Sequence, residues 1–464
     1  MKICVISGSP KGEDSVTLQY VRFIREAFPD HTFSVVHAGE KIRALEQRQD
    51  AWDDTLTHVR EADLVLFATP VYFMLVPAQL KRFFELVGER DAGEAFSGTY
   101  AAAITTSIHF YDHTAHAYLQ GICEDLGMRY IGYYSAHMQD LLSVDCQGSL
   151  VTFFEELIEA VREQRVTQRR YLPIPEGSSS YTPGREPETV DIHGRRVVIL
   201  HDAEPGSVQE AMVRYLAGCY GGAVTVAHIG DALMKGGCLG CCRCAFDNTC
   251  VYEDGFRKFW EEYVVPADIL VMAGTIRDRY LSSTWKQFLD RSFFRGHVPA
   301  YEGKQVAFLV DGPLAFLPGL QEILYGLAVI GRGNLAGIVT SEGASDVIDA
   351  SLLGLARRSV RLAGQGYVAP PTFPAIGGQK IFRDEIWGGM RAVFKADDRY
   401  YRRHGFYDFP TGKIRQRITT RAFSLFLDFP GMQAKAKKMM RSQMTAPLER
   451  AIETSAVLSE RAQR

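Results

Sequence analysis

Residues 3–17 read ICVISGSPKGEDSVT, and this stretch is the first of several that share one pattern. Its apolar start predicts a buried strand, its Gly-, Ser- and Pro-containing centre predicts a loop, and the apolar spacing after it predicts a helix. Apolar runs at 64–68, 100–104 and near 130–134 alternate with helical patterns in the same way. Strands that are apolar along their whole length predict a parallel sheet with helices on both faces. Such a sheet binds ligands at the carboxyl ends of its strands.

The chain also contains an internal repeat. Residues Ala62–Ala68 (ADLVLFA) align without a gap on Ala267–Ala273 (ADILVMA) at an offset of 205, and the same offset places Lys81 on Lys286. The opening strands align at an offset of 194, so the second copy carries about eleven extra residues before residue 267. Self-similarity of this kind predicts two copies of one α/β domain in tandem.

We predict four segments along the chain, with boundaries taken from the repeat and from changes in composition. They are a first α/β domain at 1–165, a linker at 166–193, a second α/β domain at 194–370 and a helical, partly basic extension at 371–464. Within the extension, residues 413–441 hold eight Lys or Arg and one Asp. This composition predicts a solvated helical extension packed on the core, and a membrane-surface or partner-binding helix is the alternative.

Composition excludes several classes of protein. The 464 residues are 46% hydrophobic and 23% charged, which is near the globular average and excludes a disordered, collagenous or disulfide-scaffold chain. Lys and Arg number 52 against 55 Asp and Glu, a net charge of −3, so no overall basic field favours nucleic acid. No apolar run approaches the length of a membrane-spanning helix, and the short apolar start is not typical of a signal peptide. We therefore predict a cytoplasmic protein without a transmembrane segment, and we leave a homo-oligomer open.

Loops at the strand ends carry residues suited to binding a ligand. The loop from Ser9 to Thr17 places hydroxyls and backbone N–H groups at a helix N-terminus, where a phosphate is favoured. The alternative is an ordinary helix capped by Ser15 or Thr17. Residues 69–73 (TPVYF) supply a rigid turn and aromatic faces suited to a flat conjugated ring, and buried core aromatics are the alternative. Three residues after the third strand are candidates to hydrogen-bond the same ligand, namely Ser107, His109 and Tyr111.

The first copy resembles the flavodoxin-like NAD(P)H-dependent FMN reductases. Their Gly-Ser-Pro phosphate loop is present as Gly8–Pro10, and their Pro-Val-Tyr-Phe ring loop is present as Pro70–Phe73. The resemblance covers roughly residues 1–160 and again about 194–345. It implies a fold of two flavodoxin-like doubly wound parallel sheets in tandem plus a helical C-terminal extension, with FMN as cofactor and NAD(P)H as co-substrate. The residues implied for the phosphate are Ser9, Lys11, Ser15, Val16 and Thr17, and those for the isoalloxazine ring are Pro70, Val71, Tyr72, Phe73, Thr105, Thr106 and Ser107.

The second copy departs from this pattern in both loops. Its first loop contains Asp202 and Glu204, whose carboxylates would repel a phosphate, and its ring loop at 274–279 (GTIRDR) lacks the Pro-Val-Tyr sequence. We therefore predict that the second copy binds no FMN of its own.

The second copy instead carries a cysteine motif, CLGCCRCAFDNTC at residues 238–250. The spacing C-x2-C-x2-C-x5-C, with glycines that let the backbone fold, allows three thiolates to converge on one cuboidal cluster. The arrangement resembles the archaeal and bacterial iron–sulfur flavoproteins, which implies a 4Fe–4S cluster near FMN. The implied ligands are Cys238, Cys241, Cys244 and Cys250, with Cys242 left over. Tetrahedral zinc on the same cysteines and an empty site are the alternatives.

These features predict an FMN-dependent NAD(P)H oxidoreductase whose iron–sulfur cluster passes electrons to a small-molecule or protein acceptor. FMN exchanges hydride and single electrons, so a cluster beside it would connect two-electron and one-electron partners. Tyr72 and His109 are the nearest candidates for a catalytic group. The alternatives are a non-enzymatic electron carrier served by a ferredoxin-like donor, a redox-sensing protein, and a plain FMN reductase with structural zinc or an empty cysteine site.

Overall fold

The computed structural model describes residues 1–175, 180–221, 224–410, 414–427, 429, 431–456 and 458. Part of the predicted linker, 176–179, and two charged residues of the basic stretch, Lys413 and Asp428, lie outside the described residues. The chain divides into a unit Met1–Tyr401 and a unit Arg402–Arg464. None of the helices in the described ranges combines the length and the apolar composition needed to cross a bilayer.

The N-terminal part of the first unit forms a five-stranded parallel sheet with helices on both faces. Its elements are β1 (Lys2–Ser7), α1 (Val16–Ala27), β2 (Thr32–Val36), α2 (Ile42–Gln47), α3 (Gln49–Arg60), β3 (Leu64–Pro70), α4 (Ala78–Glu89), β4 (Tyr100–Ser107), α5 (Asp112–Asp125), β5 (Arg129–His137) and α6 (Val144–Arg162). The strands lie in the order β2-β1-β3-β4-β5. Strands β3 and β4 are buried along almost their whole length, because crossover helices cover both faces of a parallel sheet.

The following part of the first unit repeats this architecture. Its elements are β6 (Val197–His201), α7 (Val208–Cys219), β7 (Val224–His228), α8 (Phe256–Phe259), β8 (Ile269–Thr275), α9 (Ser283–Arg291), β9 (Gln305–Asp311), α10 (Pro318–Ile330), β10 (Asn334–Thr340) and α11 (Ser345–Gly364). The strand order β10-β9-β8-β6-β7 is the order of the first sheet read from the opposite edge. The cysteine motif lies in the long connection between β7 and β8.

The strand register reproduces the sequence alignment of the two copies. In the first sheet Ile3 lies beside Leu64, and in the second Val197 lies beside Ile269. These partners are the residues that the two offsets, 194 and 205, place on one another. The predicted fold class, two flavodoxin-like doubly wound sheets in tandem, is therefore confirmed. The predicted domain boundaries remain predictions.

Helices α4 and α9 pack against each other across the boundary between the two sheet domains. The Asp290 carboxylate accepts a hydrogen bond from the backbone N–H of Ala78 at 2.8 Å, and the Glu85 carboxylate accepts one from the backbone N–H of Ser283 at 2.6 Å. The offset of 205 relates Ala78 to Ser283 and Glu85 to Asp290. Each helix thus caps the start of the other, as in the interface of a twofold homodimer.

Two buried lysines extend this pseudo-twofold arrangement. Lys81 Nζ lies 2.9 Å from an Asp278 carboxylate oxygen in the second domain, and Lys286 Nζ donates to the Tyr72 carbonyl oxygen in the first domain at 2.8 Å. Both lysine side chains are fully buried, and Lys286 also pairs with the buried Asp290. The repeat therefore places one cationic group of each domain on the loop that follows the third strand of the other.

The C-terminal extension is helical, as predicted. It comprises α12 (Phe373–Trp387), α13 (Lys395–Arg403), α14 (Ile414–Leu427) and α15 (Met432–Glu453). Helix α12 contacts both sheet domains, since the Phe382 ring lies 4.3 Å from the Phe110 ring and 4.4 Å from the His297 ring, measured between centroids. This part of the extension joins the two domains of the first unit.

Candidate functional site

The loop between β1 and α1 leaves a helix N-terminus open. Ser9, Ser15 and Thr17 are all buried. Ser15 is the N-cap residue of α1, yet its side chain makes no capping hydrogen bond within the described residues. Thr17 Oγ1 instead shares a 2.6 Å hydrogen bond with Thr106 Oγ1. The first N–H groups of α1 have no partner within the helix itself, and they can therefore bind an anion.

The corresponding helix of the second domain is closed. Ser207, the N-cap residue of α7, accepts a hydrogen bond from the backbone N–H of Glu210 at 3.1 Å. Asp202, in the same loop, accepts hydrogen bonds from Gln209 and Ser282. Carboxylate and hydroxyl groups of the protein thus make hydrogen bonds at the start of α7, and the absence of FMN from the second copy stays a prediction.

The predicted ring loop after β3 is a tight turn stabilised by the second domain. Tyr72 and Leu75 exchange backbone hydrogen bonds of 2.7 and 3.0 Å, while Phe73 and Met74 have positive φ angles of 43° and 69°. Phe293 of the second domain lies edge-on to the Tyr72 and Phe73 rings, at centroid distances of 6.0 and 5.4 Å. Together with the bond from Lys286, these contacts hold Pro70, Val71, Tyr72 and Phe73 in one conformation.

The hydroxyl groups predicted at the end of β4 take part in internal hydrogen bonds. Thr105 Oγ1 lies 3.1 Å from His116 Nε2, Thr106 bonds to Thr17, and Ser107 Oγ accepts a 2.8 Å bond from the backbone N–H of His109. These side chains therefore shape the loop, while the backbone carbonyls of Thr106 and Ser107 accept hydrogen bonds from the N–H groups of Val71 and Met138 at 3.1 Å.

The His109 side chain, 47% exposed, points to Asp112 at the start of α5. Its Nδ1 lies 2.9 Å from Asp112 Oδ2, and Ser135 donates a 2.7 Å hydrogen bond to the same oxygen. Burial opposes ionisation of Asp112, but the hydrogen bonds from Ser135 and His109 outweigh it and lower the pKa of its carboxyl. An ionised Asp112 orients the His109 ring, a feature that the sequence patterns did not reveal.

The cysteine loop of the second domain packs directly on the predicted flavin residues of the first. Gly240 has a φ of +62°, and a Cβ built on it would lie 1.7 Å from the Tyr72 hydroxyl oxygen and 3.0 Å from Lys11 Cε. Burial first, then the neighbouring Cys238 and Asp290, raises the pKa of the Tyr72 phenol well above its usual value. Tyr72 therefore stays protonated, and its hydroxyl lies between the ring loop and the cysteine loop.

A buried ion pair anchors the cysteine loop. Arg291 on α9 donates to both carboxylate oxygens of Asp254 at 2.9 Å and to the Gly236 carbonyl oxygen at 3.1 Å. Its guanidinium carbon lies 4.4 Å from the centre of the Tyr252 ring. Both ends of the loop are thus tied to α9, the helix that also supplies Lys286.

The predicted metal ligands share this loop but do not form a closed cluster. Cys241 is exposed, Cys238, Cys244 and Cys250 are half-buried, and none of the described residues form a metal-ligating group of three or more His, Cys, Asp or Glu. Cys244 Sγ lies 3.5 Å from the Phe293 carbonyl oxygen. Burial, reinforced by the neighbouring Cys250 and Cys241, raises the pKa of the Cys244 thiol to about 12. Cys250 and Cys241 are thus close enough to Cys244 to influence its ionisation, and four thiols of one loop are a donor type that zinc and iron–sulfur clusters use.

A cavity of about 1150 Å³ lies between the two domains, beside the cysteine loop. Its walls include residues 39–44, Glu46 and part of α4 in the first domain, and residues 234–237 and 282–284 in the second. Pro10 of the open loop and Leu239 of the cysteine loop also line it. Both domains therefore contribute to the walls of the cavity.

Comparison with known protein families finds one match, and it lies in the first domain. Residues 1–140 match the family described as NADPH-dependent FMN reductase. The matched residues include the open loop, the ring loop and β4. No curated protein matches the chain.

Solved structures similar to the chain are each about the size of one domain. A protein described as NADPH-quinone reductase from P. pentosaceus is 16% identical with a TM-score of 0.27, and the match covers 34% of this chain and 97% of that protein. FerB from Paracoccus denitrificans, described as a flavoenzyme NAD(P)H:(acceptor) oxidoreductase, is 18% identical with a TM-score of 0.28, over 34% of this chain and 97% of its own. General stress protein 14 from Treponema denticola, in complex with FMN, is 13% identical with a TM-score of 0.28. The match covers 35% of this chain and 99% of that protein.

Proposed function

We propose that this protein is an FMN-dependent NAD(P)H oxidoreductase with one FMN per chain, bound by the first domain and covered by the cysteine loop of the second. One observation carries the proposal: Ser15 leaves the N-terminus of α1 open, whereas Ser207 closes the corresponding helix of the second domain. The match of residues 1–140 to the FMN reductase family supports it.

The residues of the first domain have distinct tasks in this proposal. Ser9, Lys11, Ser15, Val16 and Thr17 bind the phosphate, which the backbone N–H groups of α1 and the Lys11 cation favour. The ring loop Pro70–Phe73 and the residues Thr105, Thr106 and Ser107 hold the isoalloxazine ring. When bound, FMN supplies hydride acceptance from NAD(P)H and the release of single electrons.

Two side chains control protons beside the ring. Tyr72 stays protonated, because burial raises the pKa of its phenol, and it can donate a hydrogen bond. His109 is oriented by Asp112, and its half-exposed side chain is accessible from solvent. The cysteine loop excludes water from the Tyr72 side of the site.

We further propose that Cys238, Cys241, Cys244 and Cys250 hold a 4Fe–4S cluster that carries single electrons to the acceptor. The support is the motif and the position of Gly240 against Tyr72, which brings the cysteine loop onto the flavin residues. Zinc in the same loop, or an empty loop, would reduce the protein to a plain FMN reductase. A cytoplasmic location remains a prediction, as does a homo-oligomer.

The decisive experiment is purification without oxygen, followed by flavin and metal analysis and titration with NADH and NADPH. We expect one FMN per chain, four iron atoms, and flavin bleaching by one of the two nucleotides. A Lys11→Glu, Ser15→Asp variant should lose FMN, because two added acidic groups repel the phosphate. The matched control Ser207→Asp should keep FMN, since aspartate caps a helix as well as serine does.

Several outcomes would change the proposal. Two FMN per chain, or full FMN in the Lys11→Glu, Ser15→Asp variant, would overturn the assignment of the site. A Cys241→Ser, Cys244→Ser variant should lose iron, keep FMN and still be reduced by nucleotide. A cluster-containing protein whose flavin neither nucleotide reduces would favour the electron carrier with a ferredoxin-like donor.

A further inference from the structure

Helix α14 of the second unit presents an apolar face to solvent. Ile414, Ile418 and Leu425 are each 63% exposed. Their spacings of four and seven residues place them on one side of the helix. Exposed apolar side chains on one side of a helix differ from single surface residues, because they can enter the same apolar environment together.

Arginines border this stripe on both sides. Arg415, Arg417 and Arg421 are exposed. A rotation of about 100° per residue places Arg417 along one edge of the stripe and Arg415 along the other, while Arg421 lies between Ile418 and Leu425. Long cationic side chains at the edge of an apolar face can extend their charged ends away from it.

Two aromatic side chains are exposed near the C-terminal end of the helix. Phe426, about 100° around the helix from the centre of the stripe, is 49% exposed, and Phe429, just beyond the helix, is 63% exposed. The next described cation, Lys435 in the first turns of α15, is also exposed. Aromatic rings next to cations are typical of segments that lie at a membrane–water boundary.

We propose that α14, together with Phe429, lies in the surface of an anionic lipid membrane, with its apolar stripe toward the acyl chains and its arginines among the lipid phosphates. Charge complementarity selects the membrane: residues 413–441 carry eight Lys or Arg against one Asp, in a chain whose net charge is −3. The helix has 14 residues and a length of about 21 Å, shorter than a bilayer core, so it lies along the surface.

The test uses the full chain and flotation with phosphatidylcholine vesicles, with and without phosphatidylglycerol. Binding should require phosphatidylglycerol and weaken as salt is raised, because salt screens the arginine–phosphate attraction. An Arg415→Gln, Arg417→Gln, Arg421→Gln variant should reduce partitioning roughly a hundredfold, since each cation near an anionic surface contributes about fivefold. The matched control is Arg60→Gln, Arg358→Gln, Arg361→Gln, which removes three exposed arginines of the first unit and should bind as the parent does.

A second pair of variants separates the apolar contribution from charge alone. Leu425→Ser, Phe426→Ser should abolish most binding at high salt, where the apolar stripe carries the attraction. The control Val166→Ser, Val347→Ser changes exposed residues of the first unit and should have no effect.

Absence of binding to phosphatidylglycerol vesicles would overturn the proposal, as would equal binding by the parent and both α14 variants. Light scattering measures the mass of the parent and of each variant in solution, and it tests whether a second copy of the chain covers this face. A parent mass of two chains that falls to one chain in Leu425→Ser, Phe426→Ser, without vesicle binding, would assign the face to a second copy and refute the membrane proposal.

Discussion

A single glycine determines how closely the two domains meet at the proposed flavin site. Gly240 combines a left-handed backbone with a position where any side chain would meet the Tyr72 hydroxyl. Both properties exclude other residue types, for independent reasons. The contact between the cysteine loop and the ring loop therefore depends on the absence of one methyl group.

Gly240→Ala should lower the free energy of unfolding by more than the roughly 1–2 kcal/mol expected from a left-handed alanine, because the methyl group also clashes with Tyr72. Gly206→Ala is the matched control, since Gly206 has a φ of +78° and open space around its Cβ position. Urea unfolding of both variants measures the difference. Adding Tyr72→Ala to Gly240→Ala should restore the part of the free energy of unfolding that the clash removes. An equal loss of free energy in Gly240→Ala and Gly206→Ala would show that Tyr72 does not clash with the added methyl group.

Buried His116 should make stability depend on pH. Burial lowers the pKa of its imidazole to about 4 from the ordinary 6.5, and its ring stacks on Tyr133 at 3.8 Å. The folded protein thus binds the proton less well than the unfolded chain. Neutral His116 therefore contributes fully to the free energy of unfolding above pH 6.5. This contribution is lost as the pH falls toward 4, and the loss is about 2 kcal/mol at pH 4.5.

His116→Gln should remove this dependence. Urea unfolding at pH 7 and pH 4.5 should show the parent losing about 2 kcal/mol more than the variant between the two conditions. Parallel losses in parent and variant would contradict the assignment.

At the scale of elements, helices α4 and α9 form a symmetric contact, but their buried lysines reach loops of different sequence. Lys81 reaches Asp278 in the altered ring loop of the second domain, whereas Lys286 reaches the carbonyl of Tyr72 in the proposed flavin loop. The two lysines are therefore packed symmetrically, but they contact different loops, so we expect their replacement to affect the protein differently.

Lys81→Met and Lys286→Met should each destabilise the protein by about 3–5 kcal/mol, because each leaves a buried carboxylate without its cation. Only Lys286→Met should also weaken FMN, by about tenfold to a hundredfold, since it removes one charge-assisted hydrogen bond from the ring loop. Flavin fluorescence titration measures the affinity. Equal FMN affinities in the two variants would refute the role of Lys286 in positioning the loop.

At the scale of the first unit, α12 ties the two sheet domains together through one aromatic side chain. Phe382→Ala should lower the free energy of unfolding by about 3 kcal/mol, since the ring contacts Phe110 in one domain and His297 in the other. Phe373→Ala on the same helix is the control, because Phe373 is 85% exposed. Calorimetry should show the parent transition broadening or dividing in Phe382→Ala, and an unchanged profile would count against the bridge.

The sequence predicts the fold far better than it predicts the contacts at the site. Strands such as β3 and β4 are recognisable because burial on both faces requires an unbroken apolar run. The repeat offset of 205 also shows from the sequence alone that Lys81 and Lys286 are equivalent residues. The partner of Lys286 is the Tyr72 carbonyl, a backbone atom that no pattern of residue types marks. The His109–Asp112 contact was missed for a similar reason, since a left-handed turn at His109 brings the two together. The spacing of Cys238, Cys241, Cys244 and Cys250 predicts a shared site, which stays a prediction, because spacing carries no information on how the loop folds in three dimensions.

Joining two copies in one chain has an evolutionary consequence. In a homodimer every mutation appears twice, so a change that closes one cofactor site closes both. Here Ser207 and Asp202 can close one helix N-terminus while Ser15 leaves the other open, because separate codons encode them. The covalent connection also keeps the local concentration of the second domain high, so the interface can lose exact self-complementarity without dissociating. Each domain can therefore acquire substitutions, such as those in the cysteine loop, that its counterpart does not share.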